Sequence, residues 1–329
     1  MDFLPVPKKV EYTNGLFEIG YKSNIVLQNT GDGCLLFAKM LKDSILKETG
    51  LNLPIKKGEY FAGDFVLKLV ESLEYDYVID IDEKAVQIIS SSEEGILHGV
   101  VTLKQHLKKH GACLPALKIS DEPMLKYRGF YLDCSRGRVH TLETLKKFVD
   151  LLCDYKVNEF QLYIEHTYLF KNLSEAWRDD TPLTAEEILE LDLYCKKRHI
   201  ELVPSLSTFG HMYKILSTKT YEELCELSGS SSKPFSYRDT MAHHTLNVSN
   251  KNAIDFSKSL ILEYMSLFTS KRFNICCDET FDLATEKSKQ LAEEKGKDNL
   301  YIEFVAELCN FLLKKGITPM FWGDIVYRQ

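Results

Sequence analysis

No run of 18 apolar residues occurs in the 329-residue sequence, so no segment reads as a membrane-spanning helix. The opening MDFLPVPKKVEY has no basic stretch followed by an apolar core, and no secretory signal is expected from it. GxGxxG and GxxxxGK followed by Ser or Thr are both missing, which leaves nucleotide binding without support. The GxSxG elbow of serine hydrolases is missing too. There is no excess of basic charge: 41 Lys and Arg face 48 Asp and Glu, the net charge is −7 and the pI is near 5.8. That balance speaks against a nucleic-acid groove and suits a neutral small-molecule or sugar ligand. A disulfide framework is lacking as well. The nine cysteines are odd in number and irregularly spaced, and Cys276 and Cys277 are adjacent. They read as free thiols, so a cytoplasmic protein is expected. A metal site is not expected, because His211, His243-His244 and Cys276-Cys277 have no recognised ligand spacing.

What is present is an ordinary globular composition, 44% apolar and 27% charged, long enough for about two domains. Residues 1–122 read as a small α+β domain. GLFEIG, FVLKLV, YDYVIDID and AVQIIS have strand composition, and Cys34–Thr49 and Glu93–Lys109 carry apolar residues at helical spacing. Asp121-Glu122-Pro123 breaks this pattern. From residue 123 to 329 the rhythm is strand, loop, helix. Predicted strands are Gly129–Cys134, Glu159–Ile164, Ile200–Ser205, Phe273–Cys277 and Thr318–Trp322. Predicted helices are Leu142–Tyr155, Ala185–Arg198, Ala253–Phe268 and Leu300–Lys315.

Repeated βα units imply a parallel sheet covered by helices, which fits a doubly wound sheet or a (β/α)8 barrel. Asp133, Glu165, Thr208, Asp278, Glu279 and Asp324 fall at or just beyond the ends of several strands. That distribution is expected of a barrel's active face, whereas an open sheet gathers its site at one switch point. Five barrel strands are countable, and the chain from Tyr127 onward is shorter than the roughly 250 residues of a complete barrel. An incomplete barrel is therefore expected, its open edge covered by a second copy of the chain or by irregular segments.

Asp278-Glu279, after a buried strand, places two carboxylates beside an apolar wall, where desolvation raises a pKa and suits a general acid. The alternative is a solvated acidic pair in a loop. Arg128 and Arg136 bracket the first barrel strand and offer planar forks to sugar hydroxyls, or else pair with Asp133. His211 follows the third strand and Glu165-His166 the second. His211 either orients a carboxylate or is structural. Trp322 offers a floor for a sugar ring or is a core residue.

Together these segments resemble the family 20 glycoside hydrolases, the β-N-acetylhexosaminidases. RGFYLDCSR is similar to the family's first barrel strand, and IELVPSLSTFGHM to its third, with Phe209 in place of a proline. FNICCDET resembles the Gly-Gly-Asp-Glu strand, with Cys276 and Cys277 in place of the glycines, and MFWGDIV resembles the fifth-strand Trp segment. QLYIEHTYLF departs from the common second strand and is closer to the intracellular-type branch. The resemblance implies an exo-acting enzyme that removes terminal β-linked GlcNAc or GalNAc with retention. The substrate's own acetamido group is the nucleophile, and no cofactor is needed. It implies Glu279 as acid/base and Asp278 as the group orienting the acetamido. Arg128, Glu165, His166, His211, Trp322 and Asp324 are implied around the sugar, with His211 behind Glu279 and linked to His166. Two competing expectations are a non-catalytic carbohydrate-binding fragment and an ordinary retaining glycosidase using Glu165 and Glu279.

Overall fold

The computed structural model describes residues 3–328, in two compact units. The first gathers the chain up to Arg128 together with Val149–Asn158 and Lys197–Ile200. Its sheet is built from β1 (Lys9–Glu18), β2 (Ile25–Gln28), β3 (Ile55–Lys57), β4 (Asp64–Leu69), β5 (Tyr77–Ile81), β6 (Ala85–Ser90) and β7 (Cys113–Asp121). The order is β1-β7-β5-β6-β4-β2-β3, antiparallel from β1 to β6 and parallel beyond. Helix Cys34–Thr49 buries Cys34, Phe37, Ala38, Leu41 and Ile45, the stripe that its apolar spacing dictates. Helix Glu93–His110 starts at Ser92, whose side chain accepts from the Gly95 N–H, and carries acids in its first turn and bases in its last. Gly99 lets this helix lie close to β6, since a Cβ there would stand 2.4 Å from Ile88 Cγ2. Val149–Asn158 joins this unit because Lys156 Nζ donates to Tyr77 OH (2.7 Å) and Asp121 Oδ2 (2.9 Å) in its interior.

The sequence pattern does not predict β7. Pro115 within it reads as a strand breaker, but it stands opposite Leu16, where the β1–β7 register shifts, so its missing N–H falls at an irregularity of the ladder. β2 and β3 are too short to show a period.

The second unit holds β8 (Gly129–Asp133), β9 (Glu159–Ile164), β10 (Glu201–Leu206), β11 (Arg272–Asn274) and β12 (Thr318–Met320). All neighbours are parallel and the spatial order is the chain order. A doubly wound sheet reverses its order at a switch point, whereas sequential order is that of a barrel wall. Helices Ala185–Lys196, Lys251–Met265 and Lys297–Leu313 form the connections between later strands.

β9 explains how the sheet presents chemistry. Phe160, Leu162 and Ile164 alternate with Glu159, Gln161 and Tyr163, and all six are buried. Period-two geometry puts the two sets on opposite faces. The polar face continues across the sheet. Arg272 pairs with both Glu159 and Glu201 at the strand starts, Asn274 Nδ2 donates to Gln161 Oε1 (3.1 Å), and the Tyr131 hydroxyl meets Ser205 Oγ (3.0 Å). A ladder of satisfied polar groups therefore climbs toward the strand C-termini.

The expected strand Phe273–Cys277 ends early, at Asn274. The Asn274 side chain accepts from Cys276 N (3.0 Å), and Cys276 and Cys277 take φ of +57° and +62°, which no strand can contain.

Candidate active site

The site lies beyond the C-termini of β8 to β12. Asp133, the last residue of β8, accepts from Ser135 N (2.9 Å), Arg136 N (3.0 Å) and Arg136 Nε (2.6 Å). Burial pushes its pKa up, but these donors outweigh burial and hold the carboxyl below its usual range. Arg136 is thereby fixed over the Tyr163 ring, 5.1 Å from its centroid. The Tyr163 hydroxyl donates to Glu165 Oε1 (2.9 Å) and accepts from Ser207 Oγ (2.9 Å), while Ser135 Oγ accepts from Glu165 N (2.8 Å). Burial raises the Glu165 pKa to about 7, against the pull of Tyr163 and of the charges on His211 and Arg136.

Two loops then meet. His211 Nε2 lies 3.2 Å from Glu279 Oε2 and 3.6 Å from Asp278 Oδ2. Burial pulls the imidazole's pKa down, but Asp278, Glu165 and Glu279 overcome it, and the net direction is up. The meeting is backbone against backbone: a Cβ on Gly210 would stand 2.6 Å from the Asp278 carbonyl oxygen. His211, Cys276, Cys277 and Glu279 all have φ between +46° and +62°, a region costly for side chains other than glycine's. The strained loop is tied from below. Thr208 Oγ1 donates to Ile275 O (2.7 Å), Tyr301 OH donates to Cys277 O (2.9 Å), and Trp322 N donates to Cys276 O (3.0 Å). Asp278 Oδ1 is buried and takes no hydrogen bond among the described residues. A carboxylate oxygen left this way is costly unless a ligand donor completes it.

The Trp322 ring, 40% exposed, stands edge-on to Tyr131 at 5.2 Å. Asp324 follows it on the same loop, with Oδ1 buried and without a partner among the described residues. Burial lifts the Cys276 thiol to about 12, so it stays protonated. Among the described residues no cluster of three or more His, Cys, Asp or Glu is placed to hold a metal ion.

Two expectations need correcting. Arg128 precedes β8, at the end of the strand away from Asp133. Its guanidinium donates through Nε to the main-chain carbonyl of Lys156 (2.6 Å) and through Nη1 to that of Leu125 (2.7 Å), which holds it at the start of β8. Its counterpart Arg136, past the strand's other end, is the arginine at the site. His166 is not linked to His211. Its Nε2 contacts Asp180 Oδ2 (3.1 Å), which Lys214 Nζ also contacts (3.2 Å). Glu165 directly follows β9, hydrogen-bonded to Tyr163 and Ser135. Tyr131, Tyr163 and Ser207 carry no motif that marks them in the sequence, although strict alternation in EFQLYIE puts Tyr163 and Glu165 on one face.

Residues 125–329 match glycosyl hydrolase family 20, catalytic domain, and residues 1–122 match domain 2 of the same family. The chain belongs to glycosyl hydrolase family 20. Similar proteins include a beta-hexosaminidase of Porphyromonas gingivalis, 23% identical over 99% of this chain and 46% of its own length. Another is a beta-hexosaminidase of Vibrio furnissii, 27% identical over 90% of this chain and 52% of its own. Among solved structures, a mutant Streptomyces plicatus beta-hexosaminidase in complex with its product GlcNAc superposes with a TM-score of 0.83 at 20% identity, over 98% of this chain and 66% of that one. Flavobacterium johnsoniae chitobiase gives 0.82 at 23% identity, over 98% and 52%. The chain spans about half the length of these curated relatives. The structural likenesses establish the shared family 20 fold, a barrel wall with a leading α+β domain.

Proposed function

We propose that the protein works as a retaining exo-β-N-acetylhexosaminidase on terminal β-linked GlcNAc or GalNAc, by substrate-assisted catalysis. The observation that carries this reading is the buried, unpartnered Asp278 Oδ1 beside Glu279 and His211. An adjacent pair of carboxylates cannot flank a sugar from opposite faces, so a nucleophile within the substrate is the economical solution. Asp278 accepts the acetamido N–H. The acetamido oxygen attacks the anomeric carbon as its bond to the leaving oxygen breaks, and Glu279 gives that oxygen a proton. The oxazolinium formed is positive, and the Asp278 carboxylate stabilises it. Water then attacks the anomeric carbon, Glu279 takes its proton, the ring opens, and configuration is retained. His211, drawn toward its charged form by the three carboxylates, holds Glu279 in place. Arg136 replaces Arg128 as the binder of ring hydroxyls, and Trp322 lines the sugar's apolar face.

The competing two-carboxylate glycosidase needs an ionised Glu165 as nucleophile. With its pKa raised to about 7 and one oxygen bonded to Tyr163, Glu165 is a poor one. Paired assays on an aryl β-N-acetylglucosaminide and the matching aryl β-glucoside decide between the two. Turnover of the acetamido sugar alone is expected, and comparable turnover of the glucoside would falsify the proposal. All nine cysteines are unpaired, and we assign the protein to a reducing, cytoplasmic setting, which cell fractionation checks.

A further inference from the structure

The segment that carries the acid also carries a second fixed side-chain pair. Asp282, three residues past Glu279, is almost fully buried, and its Oδ1 accepts from His243 Nδ1. The chain between is folded into tight turns: Phe281 N donates to Glu279 O (2.8 Å) and Leu283 N to Thr280 O (3.2 Å). Asp282 is therefore held in the same tightly turned segment as Glu279. His243 is brought to it from the long connection between β10 and helix Lys251–Met265. That connection is anchored beside the other half of the site, because Met212 N, next to His211, donates to His244 O (3.0 Å). One tie thus joins His243 to the segment that follows Glu279, and the other joins its neighbour His244 to the segment that follows His211. Buried Glu226 fastens the same turn from its far side, accepting from Glu286 N (3.1 Å) and Ser288 N (3.0 Å).

A histidine whose Nδ1 is held by a buried carboxylate has a fixed ring orientation and tautomer, and presents Nε2. The His243 side chain is 32% exposed, and with Nδ1 engaged by Asp282 Oδ1 its outer nitrogen Nε2 has no hydrogen bond among the described residues. We propose that the His243–Asp282 pair is a binding site for the leaving-group sugar, with His243 Nε2 hydrogen-bonding a hydroxyl of the residue that Glu279 releases. The ligand class is a polyhydroxylated glycan aglycone rather than a flat aryl one. The direction follows from chemistry. Glu279 protonates the leaving oxygen, so groups fixed just beyond Glu279 face what departs, while Arg136 and Trp322 serve the sugar being removed. The inference rests on the hexosaminidase reading.

The test is equilibrium binding of a thio-linked GlcNAc disaccharide, which is not hydrolysed, and of free GlcNAc. Wild type, His243→Ala, His243→Gln and Asp282→Asn are compared. For His243→Ala the loss of one well-oriented hydrogen bond predicts about tenfold weaker disaccharide binding, with a clearly smaller change for GlcNAc. His243→Gln, which keeps a donor and an acceptor, recovers part of the loss, and Asp282→Asn falls between. Equal weakening for both ligands, or no weakening for the disaccharide, overturns the proposal. If wild type binds the disaccharide no better than GlcNAc, the leaving-group site is likewise rejected while the hexosaminidase reading stands. If it binds neither sugar, that reading fails, and this one with it.

Discussion

A carboxyl that must first give and then take a proton needs a neighbour that tolerates both states, and His211 is placed to be that neighbour. Its Nε2 is 3.2 Å from Glu279 Oε2, and Glu165 adds a third negative field. Glu279→Gln removes the transferable proton and should slow hydrolysis of substrates with poor leaving groups by roughly 10²–10⁴-fold. Steady-state rates on an alkyl N-acetylglucosaminide check this, and a loss below tenfold would remove Glu279 from the acid's role. Glu165 yields a prediction about pH. Its native pKa is raised from the ordinary 4.5 to about 7 by burial, so the unfolded chain gives up this proton first. Between those values the native state binds more protons, and stability must fall as pH rises through the window. Thermal melts from pH 4.5 to 7.5 should show wild type losing more stability than Glu165→Gln. Parallel curves would mean that Glu165 ionises normally.

Among the elements, the loops after β10 and β11 do most to shape the site, and they touch through Gly210. Gly210→Ala puts a methyl group 2.6 Å from the Asp278 carbonyl oxygen, a clash with backbone. It should cost about 1–3 kcal/mol of stability and a larger share of activity, because His211 and Glu279 move apart. Denaturant melts and kcat/KM check both, and a fully active, equally stable variant would contradict the packing. At Cys277, glycine should be tolerated and valine should not, since φ of +62° suits the first and excludes the branched second. Comparing the melting temperatures of the two variants decides this. The same loops show how far the sequence could be read. EFQLYI has its strand boundaries written in its alternation, and Cys34–Thr49 is bounded as its spacing predicts. FNICC is different. Its apolar composition reads as strand to the last cysteine, while an Asn side chain and two left-handed residues end the strand three positions earlier. Arg128 and Arg136 are equivalent by residue type, and only the direction of β8 tells which one reaches the site. His243 and Asp282 lie 39 residues apart, and no local pattern pairs them.

At the scale of the molecule, β8 and β12 are the edge strands of the five-stranded sheet among the described residues, with Phe130, Phe321 and Trp322 each about 40% exposed near them. Unpaired parallel edges beside apolar side chains favour association. We propose that the 329-residue polypeptide self-associates, so sedimentation should show a mass that grows with concentration. A constant monomer mass would reject this. The role of Asp278 is tested most directly with a thiazoline mimic of the oxazolinium. Wild type should bind this mimic at least a hundredfold more tightly than Asp278→Ala, since a charge-assisted contact made chiefly in the intermediate is worth about 3 kcal/mol. Equal affinity for the two proteins would contradict it.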